Sequence, residues 1–237
     1  MSSSAVTTER RDGVLIVHLD DGKANALSFD MITAISAALD AAEGDDEIRA
    51  MVLHGRPGKF SAGFDLGVMF GDDMSAIINL VADGGALVHR LYGSSVPVVA
   101  ASTGHALAAG ALVLLGCDVR VGGDVAAKVG LNEVAIKMVL PDWALTIATD
   151  RLSKRHLQRA LANARITTPS DAVDVGFLDE VVPEGEEFDR AVALAVELAA
   201  TLDPSAYART VRAIRGPVLD LMAEQIASDR SAGVSPV

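Results

Sequence analysis

The chain has 237 residues, 50% of them hydrophobic, and 20 Lys+Arg against 32 Asp+Glu leave a formal net charge of −12. A chain of this size and apolar content can bury a large core, which excludes wholesale disorder, and its acidity repels phosphate backbones and anionic lipid surfaces, so neither a nucleic-acid nor a membrane partner is expected. The single cysteine, Cys117, excludes an internal disulfide and a multi-thiolate metal site; it points to a reducing compartment, and the cytoplasm is the expected location.

The opening MSSSAVTTERRDG has no apolar segment before its charges and, with the closing SAGVSPV, reads as a loose end. Strand signals rich in β-branched residues follow at 14–19 (VLIVHL), 48–55 (IRAMVLHG) and 96–102 (VPVVAAS), bounded by Gly, Asp or Pro. Between the first two, Ser28 caps a helix whose Phe29, Ile32, Ile35 and Leu39 return on one face, with Gly44 as its stop. The small-residue stretch GHALAAGALVLLGCD at 104–118 leads into DVRVGG, and AAKVGLNEVAIKMVLP leads to a helix from Trp143 with Asp142 as its N-cap. Gly110, Gly116 and Asp118 break the longest apolar run well short of the ~20 residues of a membrane span. From Glu186 the chain is helical in character: Phe188, Val192, Ala195, Val196 and Leu198 keep helical spacings, and Asp203-Pro204 and Gly216-Pro217 punctuate two further amphipathic pieces. The alternation of strand and helix is that of an α/β protein, with a core over 1–185 and a helical region over 186–237 suited to self-association.

Several chemistries are excluded by their missing motifs. No G-x-G-x-x-G follows a strand, and GRPGK at 55–59 lacks the length and the Ser/Thr of a phosphate loop. His18, His54, His89, His105 and His156 form no i,i+4 metal pair, so no metal site is expected. Ser61 has neither a G-x-S-x-G elbow nor a neighbouring histidine. What remains is a pair of small-residue turns directly after strands: GKFSAGFDL at 58–66 and GHALAAGALVLL at 104–115. Amides in the first turn of a helix lack intrahelical partners, and small side chains let a ligand oxygen reach them, so two such turns side by side make an oxyanion hole. Taken singly, either turn serves close helix–sheet packing.

These residues also carry a family resemblance. GKANALS near 22–28, FSAGFDL at 60–66, GHALAAGALVLLGCD at 104–118, VGLNEVAI at 129–136 and GFLDEVVP at 176–183 resemble, in order, the signatures of the crotonase superfamily of enoyl-CoA hydratases and isomerases. The resemblance implies a crotonase spiral of ββα units with a C-terminal helical trimerisation region, and a homo-oligomer that is a trimer or a dimer of trimers. It implies an acyl-CoA substrate, no prosthetic group, and a thioester carbonyl held between the backbone amides of Phe64 and Ala109. For the CoA portion it points to Lys23, Ala24, Ala26, Lys59, Ala62, Gly63, Asp65, Leu66 and Gly110, with Arg56 beside them. In family hydratases two glutamates activate water; the first place is Leu112 here and the second is Glu133. One carboxylate suffices for a 1,3-proton shift, and GLNE followed by Pro-x-Trp is similar to the 3,2-enoyl-CoA isomerases. Isomerisation is therefore the first expectation, with hydration or non-catalytic acyl-CoA binding as alternatives.

Four departures bear on that transfer. Ala109 stands where the family usually has Gly, Lys137 stands where a small residue is usual, and Asp142 replaces an aromatic residue. Lys137 reads either as a cation near the acyl pocket or as a solvent-facing side chain, and Asp142 either as a second acid/base group or as a helix cap. The chain is also shorter at its C-terminus than typical family hydratases, which puts part of the CoA lid in question.

Overall fold

The computed structural model describes residues 5–232; the loose ends expected at residues 1–4 and 233–237 lie outside them. The described part of the opening segment is not loose. Val6–Arg11 forms β1, paired antiparallel with β2 (Val14–Leu19) from Val6↔Leu19 to Arg11↔Val14. The reason is the Asp12-Gly13 pair between them, at φ 50° and 77°, which supplies the two left-handed residues of a tight hairpin turn.

From β2 the chain enters α1 (Phe29–Glu43), whose Ser28 hydroxyl accepts from the Met31 amide as the capping pattern requires, and which ends at Gly44. The chain then winds as a spiral of ββα passes. In the first, β3 (Ala50–His54) and β4 (Gly58–Ser61) lead through the single turn α2 (Leu66–Met69) to α3 (Met74–Tyr92). In the second, β5 (Val98–Ser102) and β6 (Gly104–Leu107) lead to α4 (Ala109–Gly116). In the third, β7 (Val119–Gly123) and the short β8 (Val129–Gly130) lead to a 3-10 turn at Val134–Ile136 and α5 (Asp142–Arg151). The short helices α6 (Leu157–Ala160) and α7 (Pro169–Val175) precede β9 (Glu180–Val182), and α8 (Glu187–Thr201) and α9 (Pro204–Ala232) complete the fold.

Each pass lays one strand in a six-stranded sheet, ordered β1-β2-β3-β5-β7-β9, and one in a three-stranded sheet, ordered β4-β6-β8. All pairings except β1–β2 are parallel. The large sheet is covered on both faces, which is why its strands read as unbroken apolar runs. Leu15, Val17, Met51, Leu53, Val98 and Ala100 face the main core, which also holds apolar side chains of α1, α3, α4 and α5. Their neighbours Val14, Ile16, Ala50, Val52, Val99 and Ala101 face Ala191, Val192, Ala195 and Ala199 of α8. The C-terminal region thus supplies a layer of the sheet's own packing.

Two helix expectations need correction. α5 begins at Asp142, so Asp142 is the first helical residue and Pro141, in extended geometry, takes the cap position without a side-chain bond. An acidic group there still suits the positive end of the helix dipole. The Gly216-Pro217 break does not occur: Pro217 lies inside the continuous α9. Proline removes one helical hydrogen bond, but Leu219, Met222 and Ile226 beyond it are buried in the main core and hold that half of α9 in place. α3 was not among the expected elements, although Asp73 caps it and Gly93 ends it.

Candidate active site

The two small-residue turns meet. Gly63 is left-handed at φ 99°, and a Cβ added to it would lie 2.9 Å from Ala108 Cβ and 3.5 Å from the Ala109 amide nitrogen. Leu27 sets the direction of the Phe64 amide, because it bonds to the residues on either side, donating to the Gly63 carbonyl (2.8 Å) and accepting from the Asp65 amide (3.2 Å). By strand alternation the Phe64 N–H faces the other way. Ala109 is the first residue of α4, so its N–H has no intrahelical partner. Neither amide donates in the turn, cap and loop hydrogen bonds among the described residues.

The strained backbone at this turn is that of Ala108 and not of Ala109, the residue that stands where the family usually has Gly. Ala109 is helical, whereas Ala108 sits at φ 51° and ψ −128°, a conformation that costs a side-chain-bearing residue of order 1–3 kcal/mol. The Ala108 amide donates to the Gly130 carbonyl (3.0 Å), and its carbonyl accepts from Ala111 and Leu112, which hold it there. Gly110 is needed for close approach, since a Cβ on it would lie 2.4 Å from the Ser61 carbonyl oxygen.

Beside these turns lies a cavity of about 340 Å³. Its wall includes Ala62, Phe64, Leu107, Ala108, Leu112, Asn132, Trp143 and Glu133, and Glu133 is the only ionisable side chain among the residues that line it. Glu133 is not a solvated surface charge. It is 7% exposed, and its Oε2 has no hydrogen-bond partner among the described residues. Burial raises its carboxyl to about 7, although the Glu133 and Asn132 amides pull the other way.

That shift has a sign that can be measured. A carboxyl raised from an ordinary 4.5 to about 7 keeps its proton in the fold where the unfolded chain has lost it. Stability from this group is full below pH 4.5 and falls as pH rises towards 7, by about 3 kcal/mol at most. Urea unfolding at pH 5 and pH 8 is expected to show Glu133→Gln gaining stability relative to the native protein at the higher pH.

Of the residues expected to bind the cofactor portion, Ala62 and Leu66 line the cavity. Lys23, Ala24, Ala26, Lys59, Gly63, Asp65 and Gly110 do not; hydrogen bonds join the 23–27 and 56–65 segments in one strip. The Ala62 amide donates to the Ala24 carbonyl (3.0 Å), and Arg56 Nη1 donates to the Lys23 carbonyl (2.7 Å). Asp65 caps α2 through the Gly67 amide (2.8 Å). Lys137 is exposed at φ 65° and lies off the cavity wall, as does the exposed Asp142.

The residues that organise the strip were not singled out from sequence. Asp21 accepts from the amides of Lys23 (2.7 Å), Asn25 (2.9 Å) and Ala26 (3.0 Å). Burial alone would raise its carboxyl, but those amides and the Arg56 charge outweigh it and hold the group below the ordinary range. Asn25, buried at φ 49°, donates through Nδ2 to the carbonyls of Leu19 (2.8 Å), Phe60 (3.2 Å) and Lys59 (3.3 Å). A DGKAN run between a strand and a helix cap was the available signal, since Asn tolerates left-handed geometry. Asn25→Ala leaves buried carbonyls unpaired and is expected to cost about 1–3 kcal/mol in chemical denaturation.

Among the described residues, no group of three or more His, Cys, Asp and Glu side chains could hold a metal ion, and no helix is long and apolar enough to cross a membrane. Two turns whose leading amides donate in none of the turn, cap and loop hydrogen bonds among the described residues thus lie beside one buried carboxyl in a ββα spiral. The enoyl-CoA hydratase/isomerase family profile matches residues 9–233, and the chain belongs to that family. That family comprises enoyl-CoA hydratases and isomerases.

The mitochondrial enoyl-CoA delta isomerase 1 of Mus musculus is 35% identical over 188 residues, 78% of this chain and 65% of that protein. This chain therefore spans just under two thirds of that relative's length. A crystal structure of an enoyl-CoA hydratase/isomerase family protein from Pseudomonas syringae is 37% identical with a TM-score of 0.93, covering 99% of this chain and all of that one. An apo enoyl-CoA isomerase from Mycobacterium tuberculosis is 35% identical with a TM-score of 0.90, covering 95% and 97%. The expected cytoplasmic location is corrected by these relatives, because the mouse, rat and human isomerases that match are mitochondrial. The inference from Cys117 failed because a reducing environment is not peculiar to the cytoplasm.

Proposed function

We propose that the chain is an enoyl-CoA isomerase that moves a 3-enoyl double bond to the 2-position. The observation that carries this reading is the solitary Glu133 carboxyl in an otherwise uncharged cavity wall, with apolar Leu112 in the place of a hydratase's other glutamate. Glu133 takes a proton from C2 of the thioester, electron density moves onto the carbonyl oxygen as a dienolate, and the same carboxyl returns the proton at C4. The amides of Phe64 and Ala109 receive the developing oxyanion, and each such donor is worth about 3–4 kcal/mol of barrier. A carboxyl near 7 is matched to this task at neutral pH, because it is both ionised often enough to accept the proton and acidic enough to return it.

Lys23, Ala24, Ala26, Lys59, Ala62, Gly63, Asp65, Leu66 and Gly110 form or support the strip that takes the CoA portion. Ile214 and Leu221, exposed on α9, support self-association through 186–237. Hydration is disfavoured because Asp142 lies off the cavity wall, which leaves no second carboxyl to hold water.

The reading is tested by offering 3-enoyl-CoA and 2-enoyl-CoA separately. Isomerisation of the first is expected, with little water addition to the second, and kcat/KM is expected to rise through pH 7 to a plateau as Glu133 ionises. Faster hydration of the 2-enoyl ester would reverse the assignment.

A further inference from the structure

The cavity has a burial gradient. Phe70 (72% exposed), Leu66 and Val139 stand at its mouth, whereas Leu112, Val81 and Trp143 (0% exposed) form its inner wall. Trp143 is seated against α3 at a glycine: a Cβ on Gly85 would lie 2.8 Å from Trp143 Cε2 and 2.9 Å from Nε1. The next glycine along the helix does the same for the other ring of the wall, since a Cβ on Gly84 would lie 2.3 Å from Phe64 Cε1. Both rings already touch the helix backbone, so neither can retreat to admit a longer ligand. With about 340 Å³, the cavity lies at the small end of ligand sites.

We propose that Trp143, positioned by Gly85, is the end stop of this cavity and sets the longest acyl chain the protein accepts. The inference rests on the reading of the cavity as the acyl site, and it deepens that reading by naming the substrate class as short-chain acyl-CoA thioesters. Apolar contact then improves kcat/KM by about fourfold per added methylene until the chain meets the indole. The next methylene has to displace a packed ring, and kcat/KM falls by about tenfold or more.

The test uses saturated acyl-CoAs of increasing length, with binding followed by calorimetry, alongside turnover of the matching 3-enoyl esters. In Trp143→Leu and the milder Trp143→Phe the fall is expected to move to longer chains. In Gly85→Ala, where the new methyl pushes the indole into the cavity, it is expected to move to shorter ones. Opposite shifts of the limit, with affinity for the shortest esters retained, are not produced by general destabilisation. Trp143 is the only tryptophan in the chain, so the native protein supplies a readout that needs no variant: its emission is expected to change sharply at the limiting length. An unchanged limit in the folded variants, or emission indifferent to chain length, overturns the role of Trp143 alone. Binding with the predicted limit but no isomerisation overturns the isomerase reading and leaves the end stop standing. Absence of acyl-CoA binding at every length overturns both.

Discussion

Glu133→Gln is expected to lower kcat on a 3-enoyl-CoA by about 10³–10⁴-fold, the upper part of the range for losing one general acid–base group. The loss is large because in the proposed mechanism one carboxyl performs both transfers, so the variant lacks the base for C2 and the acid for C4 together. The amide is nearly isosteric, and the cavity wall offers no other ionisable side chain that could take over. Acyl-CoA affinity is expected to change little, since the same mechanism assigns the thioester oxygen to backbone amides that the substitution leaves in place. The measurement is kcat with a binding constant on the same ester, and retention of a tenth or more of the native rate removes Glu133 from the chemistry.

Gly63→Ala is expected to reduce kcat/KM by about 100-fold or more while leaving Glu133 intact. Two effects combine. At φ 99° an alanine is strained whatever space it has, and its Cβ would lie 2.9 Å from Ala108 Cβ, closer than such atoms pack. Relief requires the turn carrying Phe64 and the turn carrying Ala109 to move apart, and a displacement near 1 Å can cost about 10²-fold in rate. The pH dependence of what activity remains is expected to keep its midpoint near 7, because Glu133 is untouched. A Gly63→Ala protein with native kcat/KM would mean that the two turns do not act together on the substrate.

Both substitutions address features that differ in how far they were readable from the chain itself. The β2, β3 and β5 strands and the capped α1 were legible because their signals are local: β-branched runs bounded by Gly, Asp or Pro, and Ser28 with a 3.6-residue apolar period. The small sheet was not, since β4, β6 and β8 are two to four residues long and are held by their partners rather than by their own composition. α9 was divided at Pro217 because the rule that proline ends helices takes no account of a packed face beyond it.

The order and chemistry of the motifs determined the family, the leading acidic candidate at Glu133 and the pair of turns around Phe64 and Ala109, because those depend on residue identity and spacing. Only the tertiary structure decided that Glu133 is buried and raised to about 7, that the strain belongs to Ala108, and that Asp142 and Lys137 stand off the cavity wall. It also decided that Phe64 and Trp143, distant in sequence, are seated on the neighbouring Gly84 and Gly85 of α3. Desolvation and ring packing are properties of what surrounds a side chain, and those neighbours come together only when the spiral closes.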